Sequence, residues 1–329
     1  MQRISIIIPV YNAEKYIHEC LESIYKQGLD ENTFEVIVVD DGSKDKSMEN
    51  ISDLIEKHSN LKIITQSNQG VSIARNNGLK IAQGTYVWFI DADDLLTDNC
   101  LREMLDIAEK NTLDILKISY VMLWENPSES SQAEATPSTS HPYNLICKSG
   151  QEGFIENFNP LQGNVWQYLF LKENLIKNHL LFPEHIILCE DWIFSISALL
   201  ATDRFMIVPL QAYIYRQHEA SVVHTLNKKA MLSLNIVTEQ ASKLLKKENV
   251  DNRVKEKLRL CIFNELTLNF WYLAHTPALY AQRKEIINDL KSRVPSFMLK
   301  QSFHQWTFSI LYTYFPFFYV WLRHSLKKR

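Results

Sequence analysis

Four short runs of β-branched and aliphatic residues, ISIIIPV, FEVIVVD, LKIIT and TYVWFID, punctuate the first hundred residues, and the stretches between them carry helical spacing instead. Ile17, Cys20, Leu21 and Ile24 share one helical face after the first run, and Met48, Ile51, Leu54 and Ile55 share another after the second. Strand and helix in alternation predict an α/β fold on a mostly parallel sheet, since parallel neighbours need a crossover between them. The runs are apolar almost throughout, which predicts helices over both faces. Ligands of such sheets collect beyond the carboxyl ends of the strands. Acids gather at those ends here: Asp40 and Asp41 close the second run, and the fourth leads into FIDADD, Phe89 to Asp94.

Repulsion between carboxylates a few ångströms apart is worth roughly 1 kcal/mol in water and several near a protein surface, so this crowding needs a compensating reason. Alternation along an extended strand would put Asp91 and Asp93 on one side and Asp94 on the other. Two converging carboxylates suit a hard divalent cation, Mn²⁺ or Mg²⁺, which takes one or two carboxylates plus phosphate oxygens. The plainer alternative is that Asp93 or Asp94 caps the helix that follows. Asp40 and Asp41 also have two readings: acids that hydrogen-bond a nucleobase or ribose, and ordinary turn chemistry with Gly42 and Ser43.

From Glu125 to His141 the chain reads ENPSESSQAEATPSTSH, too poor in large apolar residues to order itself, which predicts an exposed loop over 125–142. Apolar pattern resumes in NVWQYLFLKENLI, ILCEDWIFSISALLA and the strand-like FMIVPLQAYIYR. After about Asn227 it turns helical and Lys-rich, a separate C-terminal helical lobe over 226–329. The 329 residues are 46% hydrophobic and 22% charged, which argues against a wholly disordered chain. A net charge of −3 decides little about partners, and no nucleic acid is expected among them. Five scattered cysteines without a CxxC pair read as reduced thiols in the cytosol, and no secretion signal is visible.

Trp306 to Leu322, WTFSILYTYFPFFYVWL, is uncharged and crowded with aromatics, and RHSLKKR follows it. The stretch is at the lower limit for a spanning helix and holds Pro316 in its middle. A segment 306–329 resting at an anionic membrane interface is one expectation; burial against the protein's own core is the other.

Taken together, SIIIPVYNAEKYIHECLESI, FEVIVVDDGSKDKS, NQGVSIARNNGL, GTYVWFIDADD and CEDWIF resemble, in order and spacing, the inverting family-two glycosyltransferases of GT-A fold. The similarity spans about residues 1–225, divided into a nucleotide-binding half over 1–110 and an acceptor half over 111–225. What the resemblance implies is transfer of a sugar from a nucleotide diphosphate donor to a hydroxyl of a glycan or lipid-linked acceptor. UDP is the expected nucleotide, and the same cleft can suit GDP or dTDP. Apart from the resemblance, the tail from Trp306 to Arg329 points to a lipid-linked acceptor, as in assembly of a surface polysaccharide at the cytoplasmic face of the cell membrane, with peripheral membrane contact through the C-terminus as the expectation.

Carried over by position, the resemblance implies Pro9 and Tyr11 beside the nucleobase and Asp41 bonding it, with Asp40 as neighbour. It implies Asp91 on the ribose side and Asp93 holding the metal on the diphosphate. Asn68 and Arg75 fall where the family approaches nucleotide and phosphate; a helix-start hydrogen bond and a surface charge are their plainer roles. Asp191, beside Glu190, matches the catalytic base, and a base that takes the proton of an attacking hydroxyl contributes roughly 10²- to 10⁴-fold. Its plainer role is the N-cap of the helix WIFSISALL. Apart from the family, Arg216 could hold diphosphate and His218 or His224 could complete a metal shell, or all three could sit in a solvent-facing loop. Trp166 and Trp192 could stack on a sugar, although core is the commoner use. A nucleotidyltransferase or other nucleotide-handling enzyme competes with this reading, without a GxGxxG or GxxxxGK(S/T) loop among the eight glycines. A non-catalytic nucleotide-binding protein of the same fold is the third.

Overall fold

The structure, a computed structural model, describes residues 2–124, 146–157, 163–217, 227–297 and 303–327. The expected loop 125–142, His218 and His224 lie outside the described residues. The chain divides into two compact units: Met1–Phe154, Asn164–His185 and Phe194–Ser221 form the first, and Ile155–Gly163, Ile186–Ile193 and Val222–Arg329 the second.

In the first unit eight strands make one sheet: β1 (Ile4–Val10), β2 (Phe34–Asp40), β3 (Leu61–Thr65), β4 (Tyr86–Phe89), β5 (Leu95–Leu96), β6 (Ile115–Trp124), β7 (Tyr168–Leu171) and β8 (Phe205–Gln217), in the order β3-β2-β1-β4-β7-β6-β8-β5. The first four in that order are parallel; β7 runs antiparallel between β4 and β6, β8 is parallel to β6, and β5 closes the far edge antiparallel to β8. Every residue of β2 and β4 is buried, which explains why, Glu35 and Asp40 apart, their sequences are apolar without alternation.

Helix α1 (Ile17–Tyr25) turns Ile17, Cys20, Leu21 and Ile24 into the core, as its spacing predicts. The second expected face is only partly realised. Glu49–Ile51 is a 3₁₀ turn that passes into α2 (Ser52–Lys57), and this tighter winding leaves Ile51 and Leu54 buried but turns Ile55 outward. Helices α3 (Val71–Ile81) and α4 (Cys100–Lys110) follow β3 and β5, and α4 buries Cys100, Leu101, Met104, Leu105 and Ala108. Farther along, α5 (Gly150–Asn157), α6 (Lys172–Lys177) and α7 (Glu190–Leu200) follow, of which α5 and α7 each have residues in both units.

Two polar features lock the sheet. Glu35, fully buried in β2, accepts hydrogen bonds from Ser5 Oγ, Lys62 Nζ and the Gln83 N–H, each at 2.5 Å. Burial alone would raise its pKa, but these donors outweigh it and hold the carboxyl below its ordinary range. Gly84 donates its N–H to Ser5 Oγ at 2.8 Å, so close to β1 that a Cβ there would collide with the Ile4–Ser5 backbone.

The second unit is helical: α8 (Lys228–Leu244), α9 (Asn252–His275), α10 (Pro277–Ala281), α11 (Arg283–Arg293), α12 (Phe303–Tyr314) and α13 (Pro316–Lys327). Asn227 and Asp251 cap α8 and α9 through their side chains, accepting from Ala230 N–H at 3.0 Å and Arg253 N–H at 2.7 Å. The aromatic C-terminal stretch is two helices that break at Pro316. Phe308, Tyr312, Tyr319 and Val320 are buried, and the first three set their rings 5.7 to 6.0 Å from that of Phe270 in α9. Trp306, Tyr314, Phe315, Phe317, Phe318 and Trp321 are exposed. No helix among the described residues is long and apolar enough to cross a membrane.

Candidate functional site

Because β3, β2, β1 and β4 are parallel neighbours, their carboxyl ends meet at one edge of the sheet. Pro9 and the half-exposed Tyr11 stand at the end of β1, Asp40 and Asp41 at the end of β2, Asn68 beyond β3, and Asp91 to Asp94 beyond β4. The segments after β1 and β2 are laced together. Asn12 N–H donates to Ser43 Oγ at 3.1 Å, Lys44 N–H to Asn12 Oδ1 at 2.8 Å, Ala13 N–H to Ser47 Oγ at 2.8 Å and Glu14 N–H to Asp45 Oδ2 at 2.9 Å. A recess of about 430 Å³ opens there, lined by Asn12, Glu14, Lys15, Tyr16, Lys44 and Asp45.

Asp40 makes the turn its sequence suggests, accepting from the Ser43 N–H at 2.9 Å. Asp41 is buried and more fully engaged. It accepts from the N–H groups of Gln69 (2.7 Å) and Gly70 (2.8 Å) and from Gln66 Nε2 (2.8 Å), so an anion sits at the start of α3, where the helix dipole favours it. Gly42, at φ +74°, lets the chain pass: a Cβ there would press within 3.1 Å of Asn68 N and 3.2 Å of Gln66 O. Asn68 is exposed beside it.

Arg75 is buried rather than a surface charge. Its Nη2 donates to Asp91 Oδ1 at 2.9 Å and its guanidinium lies 5.2 Å from the Phe182 ring centre. The strand that carries FIDADD stops at Phe89, and Asp91–Asp94 is a turn closed by Asp94 N–H to Asp91 C=O at 3.2 Å, so strand alternation does not govern these acids. The division survives for another reason: Asp91 and Asp93 keep partial exposure, while Asp94 is buried. Helix α4 begins at Cys100 with Asn99 in the cap position, so neither Asp93 nor Asp94 caps it.

Asp94 is instead tied to β8. Tyr213 Oη donates to Asp94 Oδ2 at 2.6 Å and accepts from the Asp91 N–H at 3.1 Å, while the Arg216 N–H donates to Asp94 Oδ1 at 2.7 Å. Burial, reinforced by the charges of Asp91 and Asp93, pushes the Asp94 carboxyl up to about 8. The Arg216 side chain braces the same turn: Nε donates to the Asp93 carbonyl at 2.9 Å, Nη2 to Glu19 Oε2 at 2.7 Å, and the guanidinium lies over the Tyr16 ring at 5.2 Å. Tyr213, Glu19 and Tyr16 were not singled out by sequence, because their partners are far off in the chain and no local pattern marks them. Trp166 is core, stacked on Tyr213 at 4.3 Å.

Glu190 and Asp191 open α7 and belong, with the buried Trp192, to the second unit. Asp191 Oδ1 accepts from the Trp192 N–H of its own helix at 2.7 Å. Cys189, at φ +63°, precedes them, and burial, with the charges of Glu265, Asp191 and Glu190, pushes its thiol well up. Burial also raises the carboxyl of Glu265 in α9, a third acid of this neighbourhood that sequence did not single out. Among the described residues no three His, Cys, Asp or Glu side chains cluster as a metal site. Asp91 and Asp93 offer hard oxygen donors, the kind Mg²⁺ and Mn²⁺ take when phosphate oxygens complete the shell.

Residues 5–149 match the family model described as Glycosyl transferase family 2. The uncharacterized glycosyltransferase EpsJ of Bacillus subtilis (strain 168) is 32% identical over 230 residues, 69% of this chain and 65% of that protein. The poly(ribitol-phosphate) beta-N-acetylglucosaminyltransferase TarS of Staphylococcus aureus (strain Mu50) is 30% identical over 220 residues, 65% of this chain. This chain thus spans just under two thirds of the first relative and 35% of the second. The crystal structure of S. aureus TarS 1–349 in complex with UDP-GlcNAc matches with a TM-score of 0.72 at 20% identity, covering 99% of this chain and 92% of that one. The α/β fold expected from the sequence is therefore the fold observed.

Proposed function

We propose that this chain, which belongs to glycosyl transferase family 2, moves a sugar from a nucleotide diphosphate donor, UDP in the first instance, to a hydroxyl of a glycan or lipid-linked acceptor with inversion. The observation that carries the reading is the convergence of Asp41, Asp91 and Asp93 on the edge where four parallel strands end. The TarS crystal structure, of the same fold, is a complex with UDP-GlcNAc, which supports the choice of donor. TarS, by its name, glycosylates poly(ribitol-phosphate), which supports a polymer or lipid-linked glycan as acceptor. Five free cysteines support work in a reducing cytoplasm.

In this reading Pro9, Tyr11, Asp40 and Asp41 form the nucleobase side of the 1–110 half. Asp41 acts largely by fixing Gln66, Gln69 and Gly70 at the entrance to α3, beside Asn68. Asp91 faces the ribose, oriented by Arg75. Asp93, with His218 as the expected second ligand, would hold Mn²⁺ or Mg²⁺, and that ion when bound stabilises negative charge on the departing diphosphate. Arg216 holds the Asp93 turn in place through its carbonyl. Asp191, with Glu190 beside it, takes the proton of the acceptor hydroxyl as its oxygen attacks the anomeric carbon opposite the leaving group.

A screen of nucleotide sugars with Mn²⁺ or Mg²⁺ tests this, run beside Asp93→Ala and Asp191→Asn. Asp191→Asn should lower turnover roughly 10²- to 10⁴-fold while donor binding persists, and Asp93→Ala should abolish the metal response. Wild-type turnover in both variants would overturn the mechanism.

A further inference from the structure

The helical unit displays a cluster of rings to solvent where α12 meets α13. Tyr314 is 69% exposed, Phe315 56%, Phe317 41%, Phe318 50% and Trp321 51%, with Phe318 and Trp321 stacked at 5.8 Å. Their neighbours on the opposite side of α13, Tyr319 and Val320, are buried, with Tyr319 against Phe270 and Phe308, so the helix is held by one face and leaves the other uncovered. Scattered surface apolar residues are ordinary, but five aromatic side chains within eight positions form a patch of the kind that marks a contact surface.

Charge decides what covers it. After Asp289 the chain contains no Asp or Glu: Arg293 is paired with Asp289 and Glu239, Lys291 donates to the Pro295 and Thr313 carbonyls and Arg323 to Tyr319 Oη, and Lys300, Lys327, Lys328 and Arg329 add four further cations in sequence. Four of these cations follow Trp321 directly in sequence. Two copies meeting through this patch would bring like charges together, which disfavours a homodimer. An anionic headgroup layer complements it, since aromatic rings settle at the boundary between headgroups and acyl chains while lysine and arginine reach for phosphate.

We propose that the α12–α13 corner is a membrane-docking face in which Phe317, Phe318 and Trp321 enter the interface of an anionic bilayer and the basic tail binds its headgroups. The helices lie on the bilayer without crossing it, in keeping with their length. The inference is independent of the glycosyltransfer reading, because it uses none of the strand-end residues.

The test is sedimentation of the full chain with vesicles of phosphatidylcholine alone and of phosphatidylcholine with phosphatidylglycerol. The wild type should bind the anionic vesicles and be released by salt, and the Phe317→Ser/Phe318→Ser/Trp321→Ser variant should bind roughly tenfold or more weakly with an unchanged thermal midpoint. Lys327→Glu/Lys328→Glu/Arg329→Glu should separately weaken binding to the anionic vesicles. Equal binding by wild type and ring variant, or no binding to either vesicle, overturns the proposal. So does a wild-type dimer on light scattering that the ring variant dissolves, which would assign the patch to a second copy.

Discussion

Tyr213 and Asp94, 119 residues apart in the chain, meet through a 2.6 Å hydrogen bond that fastens the turn after β4 to strand β8. The phenol donates to Asp94 and accepts from the Asp91 N–H, so one oxygen fixes both ends of the turn. Tyr213→Phe should cost about 1–3 kcal/mol by leaving Asp94 short of a buried donor, read as a lower urea midpoint. Tyr86→Phe is the control: its hydroxyl donates to the carbonyls of Ala108 and Leu113, and Tyr86 begins β4 at the end away from the turn. Both should lose stability, but only Tyr213→Phe should weaken Mn²⁺-dependent UDP binding.

Arg75→Met removes the cation that faces Asp91 and should destabilise the fold by about 1–3 kcal/mol, less than a fully buried pair because Asp91 is partly exposed. Arg75→Lys should rescue little, since a lysine lacks the planar fork that donates to Asp91 while lying against Phe182. Thermal unfolding gives the first quantity. UDP titration calorimetry should show an affinity loss of roughly tenfold in both variants.

Glu35 makes acid sensitivity predictable. Its native pKa lies below the unfolded value of about 4.3, so the unfolded chain takes up protons more readily. The stabilisation is fully present above that value and is lost as pH falls through the native pKa. Glu35→Gln should cost about 1.5–3 kcal/mol at pH 7, and the gap from wild type should close as pH drops towards 3, measured by urea midpoints along the series.

Gly84→Ala should be worse than its one added methyl suggests. The Cβ would meet the backbone of Ile4 and Ser5, which cannot swing aside as a side chain tip can. A loss of about 1–3 kcal/mol is expected on chemical denaturation, together with faster exchange of the Gly84 amide that now donates to Ser5 Oγ.

The parallel half of the sheet was legible because a strand buried on both faces has to be largely apolar, and Ile4–Val10 and Phe34–Asp40 obey that rule but for Ser5, Glu35 and the terminal Asp40. The acids at the strand ends were legible for the complementary reason, that a charge within such a strand needs dedicated partners, as Glu35 has in Ser5, Lys62 and Gln83. What sequence could not give was the third dimension of the turn after β4. Strand alternation sorted Asp91, Asp93 and Asp94 by a geometry that ends at Phe89, and the actual sorting comes from Tyr213 and Arg216, more than a hundred residues later. The aromatic tail was readable as uncharged and crowded with rings, but not in which of its residues turn to the core. Pro316 divides it into two helices, so core and surface are alternative faces of one segment rather than alternative fates for it.

The lacing of residues 12–14 to 43–47 has a thermodynamic side. Backbone that is already held by five hydrogen bonds has little freedom left to surrender when a ligand arrives, and each rotamer-rich side chain that needs no fresh ordering spares roughly 0.5–1.5 kcal/mol. On the proposed function, discrimination at this end of the sheet is then set by a shape that exists beforehand: a base that fits would meet a rigid mould, and one that does not fit would meet no loop that yields.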